Sequence, residues 1–133
     1  MSNKIGINII TPTETLEYVD VEYLRAPSIE GLFGVLPGHI PSIIALDIGE
    51  IKINLANKSL YFATSGGFAD INNDKVVLVL ETAEESNKID LKRAEKSLDR
   101  AKKYLDDKSH DMDRALNSIK RAKNRILISK KKV

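Results

Sequence analysis

Apolar residues recur at two different periods along this chain, and the period changes once. From Lys4 to about Ala83 they fall mostly at every second position, the repeat of half-buried strands. Lys4–Ile10 alternates β-branched with small or polar residues and reads as a strand, stopped by Thr11-Pro12-Thr13 because proline cannot donate to a ladder. A second alternation sets Val19, Val21 and Tyr23 against Asp20 and Glu22. Further strands are expected at 42–46, 50–56, 60–64, 68–72 and 75–81, with hairpin turns at Asn57-Lys58 and Asn73-Asp74. Many short, closely spaced strands with no helix among them predict a small sandwich or barrel.

One segment breaks this rhythm. Glu30 to Pro41 combines glycines and prolines with five large apolar residues, Leu32, Phe33, Val35, Leu36 and Ile40. A loop that apolar either folds back onto the core or is offered to a partner. Beyond Asn87 the period becomes helical. Leu91, Ala94, Leu98, Ala101 and Leu105 step by 3, 4, 3, 4, and Met112, Ala115, Ile119, Ala122 and Ile126 repeat the stepping after the polar break 106–109. Two helices with matching narrow seams and a short link predict an antiparallel αα-hairpin. Asn87 is the expected N-cap, with Asp90 favoured by the positive end of the helix dipole. The seams are rich in alanine, and a buried alanine methyl contributes roughly 0.8 kcal/mol against about 1.5–3 kcal/mol for a leucine. Helices of this length are marginal alone in water. The hairpin should therefore be weakly held.

Charge turns over where the period does. Residues 1–83 carry five basic and ten acidic side chains; residues 84–133 carry sixteen and nine, with no acid after Arg114. The balance swings from −5 to +7, so the tail suits an anionic partner or ligand. At 133 residues there is room for one modest domain and an appendage. No apolar run approaches the roughly 18 residues of a membrane span, and Met1–Lys4 leads straight into a strand pattern, which leaves no room for a leader peptide. There is no cysteine, which excludes disulfides and thiol chemistry. His39 stands alone, far from His110, so no metal cluster is indicated. Without paired histidines, a serine elbow or a Walker loop, intrinsic catalysis is not expected. Nucleic-acid binding is disfavoured because Tyr104 is the sole aromatic of the helices.

Four motifs then occur in a specific order: Thr11-Pro12 after the first strand, Gly31-Leu32-Phe33-Gly34-Val35-Leu36-Pro37-Gly38-His39-Ile40-Pro41, Ser65-Gly66-Gly67-Phe68, and Thr82-Ala83-Glu84 leading into the hairpin. In this order the chain resembles, over nearly its full length, the epsilon subunits of rotary F-type ATP synthases. The resemblance implies an α+β fold, with an N-terminal β-sandwich over 1–84 and a C-terminal antiparallel αα-hairpin over 87–133. It implies a non-catalytic rotor subunit that binds the gamma subunit and the c-ring, at the cytoplasmic face of a bacterial membrane or, alternatively, the stromal face of a thylakoid. The membrane is met only through the complex. Rotor contact would fall to Glu30, Gly31, Phe33, Leu36, Pro37 and His39. In the family the hairpin lies folded beside the sandwich or extends into the alpha/beta catalytic head, where its basic face blocks ATP hydrolysis. Here Arg114, Lys120, Lys123 and Arg125 would meet the beta subunit.

Some bacterial members bind ATP on the folded hairpin through an Ile/Leu-Asp-x-x-Arg-Ala motif, present here as Ile89-Asp90-Leu91-Lys92-Arg93-Ala94. The resemblance adds Glu84 upstream, Arg100 one heptad on, and the pair Arg121 and Arg125 on the second helix. Arginines four apart share a helix face, and guanidinium forks suit phosphate oxygens. Asp90 and Glu84 would instead serve adenine, ribose or the orientation of Arg93. ATP, with or without magnesium, is thus the expected regulatory ligand, and no catalytic cofactor or metal site is implied. The alternative is a purely structural stalk subunit with a vestigial nucleotide site.

Overall fold

The computed structural model describes residues 4–106 and 111–131; the expected link between the helices, and His110, lie outside the described residues. Ten strands are followed by two helices. They are β1 (Ile5–Ile10), β2 (Thr15–Val21), β3 (Tyr23–Ser28), β4 (Gly31–Val35), β5 (His39–Leu46), β6 (Gly49–Asn54), β7 (Ser59–Thr64), β8 (Gly67–Asn73), β9 (Lys75–Leu80) and β10 (Ala83–Glu85). A 3₁₀ turn at Ser86–Lys88 leads into α1 (Leu91–Asp106) and α2 (Met112–Ser129).

The strands run in the order β10-β7-β6-β3-β5-β8-β9-β1-β2, with β4 on β3. Between β3 and β5 the ladder narrows to one partner pair, Ser28 with Leu46. There the sheet folds over, and both halves turn their inward residues onto one core. Leu24, Val35, Ile51, Ile53 and Phe62 come from one side, and Ile5, Ile7, Ile9, Ile71, Val76 and Leu78 from the other. This is the expected β-sandwich. The alternation in β1 is literal, with Ile5, Ile7 and Ile9 buried between less buried neighbours. β1 pairs in parallel with β9, whereas the other ladders are antiparallel. The two hairpin turns also form: Leu55 N–H donates to the Lys58 carbonyl at 2.8 Å, and Asn73 adopts φ of 57°.

Two local expectations are corrected. Val19, Val21 and Tyr23 do not share a face: Val19 is exposed while Val21 is fully buried. Asp20 sits between them at φ of 56°, in the left-handed region, and shifts the register of β2 against β1, which reverses the alternation within that strand. The apolar segment 30–41 is not one loop. Its first half is strand β4, paired with β3 from Leu24–Val35 to Ser28–Gly31. Glycines 31 and 34 looked like breakers, yet Gly34 faces the Tyr23 ring so closely that a Cβ there would lie 2.7 Å from Cε1. Only the turn at 36–38 interrupts the strands, closed by His39 N–H on the Leu36 carbonyl at 3.2 Å.

In the hairpin, the alanines are the residues that disappear. Ala94, Ala101, Ala115 and Ala122 are buried, whereas Leu91 and Met112 stay exposed. Small side chains let the helices approach closely but leave little apolar area between them. α2 makes the main contact of the hairpin with the sandwich, along β6 and β7. Its apolar footing is small, Ile128 against Ile89 and Ala63 with Tyr61 alongside.

Gly67 tests the sandwich independently of the hairpin. At φ of 147° its added Cβ would overlap the Val79 carbonyl and come within 2.9 Å of Leu80 Cα, both backbone atoms that cannot swing aside. Gly67→Ala should cost roughly 3 kcal/mol or more in a chemical denaturation curve. Gly6→Ala, which meets nothing within 4 Å, should stay within about 0.5 kcal/mol of the parent.

Candidate functional site

A cleft of about 660 Å³ opens between the two helices and the edge of the sandwich at β7 and β10. That volume lies within the range of small-molecule sites. Its floor is short and hydroxyl-bearing: Ala63, Thr64 and Ser65 at the end of β7, and Thr82 beside them. Ser65 Oγ lies 2.8 Å from Thr82 Oγ1. The walls are helical and cationic, with Arg100 from α1 and Arg114, Arg121 and Arg125 from α2. Glu81 and Glu84 line the sandwich side.

The local sequence explains how the guanidiniums are presented. Arg100 donates from Nη2 to Ser97 Oγ at 3.2 Å, and Arg121 from Nη2 to Ser118 Oγ at 3.1 Å. The same Ser-x-x-Arg spacing thus stiffens one arginine on each helix, a repeat legible in the sequence that motif reading passed over. Among the described residues neither guanidinium is in a salt bridge, so both charges are available to an anion. Arg125 is held differently. Its Nη2 donates to Glu84 Oε2 at 3.1 Å, while its Nε lies 2.7 Å from Oε1 at an angle too poor for a second hydrogen bond. With both side chains partly exposed this pair is worth on the order of 1 kcal/mol at most.

The motif residues divide between cleft and scaffold. Glu84, Arg100, Arg121 and Arg125 meet at the cleft, as does Arg114, which was expected to act elsewhere. Ile89 is buried in the apolar footing of the hairpin, and Ala94 is sealed in the helix seam. Asp90, rather than Asn87, is the N-cap of α1. Its Oδ1 accepts the Arg93 N–H at 3.1 Å and its carbonyl accepts the Ala94 N–H at 3.0 Å, while Asn87 is spent in the preceding 3₁₀ turn. Arg93 is exposed on the first turn of α1, outside the cleft lining. Ser65, Thr82, Ser97, Ser118 and Tyr104 also line the cleft, none of them among the residues expected to bind ATP. Among the described residues no group of three or more histidines or carboxylates is placed to hold a metal ion.

The cations expected to serve an external partner are partly engaged within the chain. Lys120 Nζ lies 3.1 Å from Asp47 Oδ2 and Arg125 is on Glu84, whereas Arg114 and Lys123 are exposed. Asp47 accepts the Ile48 N–H and then Lys120, and these two contacts hold its carboxyl below the usual range. The other expected surface, on β4 and the turn that follows it, carries exposed apolar residues. Glu30 and Gly31 are exposed, Phe33, Pro37 and His39 half-buried, and Leu36 is 60% exposed. Ile29, Leu32, Ile40, Ile43 and Phe68 are exposed in the same region of β4, β5 and β8. Isolated exposed apolar residues are ordinary, whereas apolar residues clustered on one surface are a feature of contact sites.

A strand sandwich that carries a two-helix hairpin, with an arginine-lined cleft where they meet, is the class of architecture this chain defines. The chain belongs to the ATP synthase delta/epsilon chain family: the family's β-sandwich domain matches residues 4–86 and its long α-helix domain residues 87–130. It is 39% identical over 97 residues to the ATP synthase epsilon chain of Nitratidesulfovibrio vulgaris strain Miyazaki F, covering 73% of this chain and 72% of that one. It is 40% identical over 94 residues to that of Staphylococcus saprophyticus, 70% of each. Among solved structures it is similar to a chain in the Euglena gracilis mitochondrial ATP synthase OSCP/F1/c-ring assembly, at TM-score 0.80 and 21% identity over 93% of this chain and 80% of that one. A chain of the Tetrahymena thermophila central stalk and c-ring matches at TM-score 0.58 and 17% identity, over 98% of each. At such identities these structures report the fold.

The capping role of Asp90 is separable from any ligand role. Asp90→Ala should lower the stability of the hairpin by about 1 kcal/mol, and Asp90→Ser, which can still accept from the backbone, should recover most of it. Thermal melting followed by far-ultraviolet circular dichroism reads both.

Proposed function

We propose that this chain is an epsilon-type subunit of the ATP synthase central stalk, joining the gamma subunit to the c-ring through its sandwich and restraining ATP hydrolysis through its hairpin. Family membership supports the stalk assignment, and the structurally similar chains come from F1/c-ring and central-stalk/c-ring assemblies. The exposed apolar surface around Leu32, Leu36 and Ile43 is the natural rotor contact. No described helix is long and apolar enough to cross a membrane; in this reading attachment runs through partners, at the cytoplasmic face of a bacterial membrane. In this reading the chain is a non-catalytic subunit.

The observation that carries the regulatory part is the cleft, where arginines of both helices converge over the sandwich edge. Arg100, Arg121 and Arg125 would hold the phosphates of ATP, and the hydroxyls of Ser65 and Thr82 can bond its polar groups. Magnesium, if carried, would arrive with the phosphates. A ligand gripping both helices and the sandwich binds only the folded arrangement. At ~100 times its dissociation constant it stabilises that form by roughly 2.7 kcal/mol. Against an alanine seam and a small apolar footing, that is enough to move the balance. When ATP falls, the hairpin is released and the cationic face of α2 reaches for the beta subunit. Arg125, already neutralised by Glu84, favours the second reading, a structural stalk subunit whose nucleotide site is vestigial.

Calorimetric titration of ATP and ADP into the purified chain decides between them. ATP should bind, and Arg121→Ala or Arg100→Ala should weaken it at least tenfold, as expected when a charged contact is lost. Arg93→Ala asks whether the motif arginine acts from outside the cleft. Variants that bind as well as the parent would remove the cleft from consideration, and no heat with either nucleotide would favour the structural reading.

A further inference from the structure

One stripe of α2 makes a set of contacts that the nucleotide cleft does not use. Lys120, Asn124 and Lys131 fall at i, i+4 and i+11, which brings them to the same side of the helix and its C-terminal extension. All three meet the short corner between β5 and β6. Lys120 Nζ lies 3.1 Å from Asp47 Oδ2. Asn124 Nδ2 donates to the Gly49 carbonyl at 2.8 Å. Lys131 pairs with Glu50 and sits over the Tyr61 ring, 5.1 Å from its centre. Of these side chains, only Asn124 borders the cleft.

The corner is built to present its acids whether or not the hairpin is there. Asp47 N–H is bonded to the Pro27 carbonyl at 3.0 Å, and its Oδ1 takes the Ile48 N–H at 2.8 Å. Gly49 is pressed on the Pro27 ring so closely that a Cβ would lie 2.7 Å from Pro27 Cβ. Glu50 is steadied from the sandwich side by Arg25. A preformed anionic corner loses little conformational entropy when cations dock on it.

We propose that the β5–β6 corner is a second latch for the hairpin, independent of nucleotide and closed by charge, so that ionic strength sets the folded fraction even where ATP is absent. The proposal rests on the folded-to-extended reading of the hairpin given above. Each pair is partly exposed and weak alone. Against the small apolar footing of α2 the two still form a large share of the docking energy. Exposed pairs are screened by salt on the scale of the Debye length, about 10 Å at 0.1 M and 3 Å at 1 M. The corner also occupies Lys120, one of the cations an anionic partner would recruit, so docking there and capture by a partner are mutually exclusive.

The absence of cysteine allows a clean probe. Donor and acceptor dyes on Lys58→Cys in the β6–β7 turn and Lys102→Cys on the exposed side of α1 report docking in the full chain by energy transfer, with no nucleotide present. In the parent, transfer should fall as sodium chloride is raised from about 20 mM to 500 mM, a range over which such pairs are progressively screened. The double variant Asp47→Asn, Glu50→Gln should start low and respond little, its folded-to-extended ratio reduced roughly five- to tenfold. Asp47→Lys combined with Lys120→Asp should recover docking, whereas Asp70→Asn, the loss of one carboxylate elsewhere on the sandwich, should behave as the parent. Transfer that ignores salt, or a double variant indistinguishable from the parent, overturns the latch. Because nucleotide is left out, a failed ATP site cannot produce that result. Adding ATP to the double variant then tests the cleft separately, since recovered transfer requires the cleft to work.

Discussion

Apolar burial is shared very unequally between the two halves of this molecule, and most of its behaviour follows. The sandwich closes around a contiguous core of isoleucine, leucine, valine and phenylalanine contributed by both halves of the sheet. The hairpin buries alanines in its seam and rests on the sandwich through Ile128, Ile89 and Ala63. Hydrophobic stabilisation scales with apolar area, so the sandwich is a fixed platform and the hairpin's position is decided by smaller terms. Those terms are polar: Arg125 on Glu84, Lys120 on Asp47, Lys131 on Glu50 and Asn124 on the Gly49 carbonyl.

A contact surface with that composition is suited to being reversed. Charged groups lose little when water replaces a partly exposed partner, whereas separating a large apolar interface would be costly. In the proposed switch the same cations would keep their affinity for anions after release, so one basic helix of low apolar content would be enough for it.

The Ile-Asp-x-x-Arg-Ala motif gains a second meaning in this setting. Ile89 anchors the root of the hairpin, Asp90 caps α1, and Ala94 permits close approach of α2. Three of its defined positions thus set where the first helix begins and how it lies. Placing Arg100 over the cleft depends on that start, because a helix shifted by one residue would turn its arginine by about 100°. The motif shapes the site as scaffold even where its side chains stand outside the lining.

Periodicity in the sequence determined most of the architecture: where strands give way to helices, which residues of β1, β6 and β9 face inward, and that two alanine-rich helices pair. Those features depend on local repeats of two or of three to four residues, which any reader of the chain can follow. The arginines on each helix were legible for the same reason. Tertiary structure alone decided the rest. The strand at Gly31–Val35 is stabilised by pairing with β3 against its local glycines, and the left-handed Asp20 redirects an alternation that looked continuous. The meeting of Arg125 with Glu84, and of Lys120 with Asp47 across 73 residues of sequence, is a matter of which surfaces the folded sheet brings under α2. Such contacts carry no periodic trace, because the partners are chosen by position in space and not by spacing along the chain.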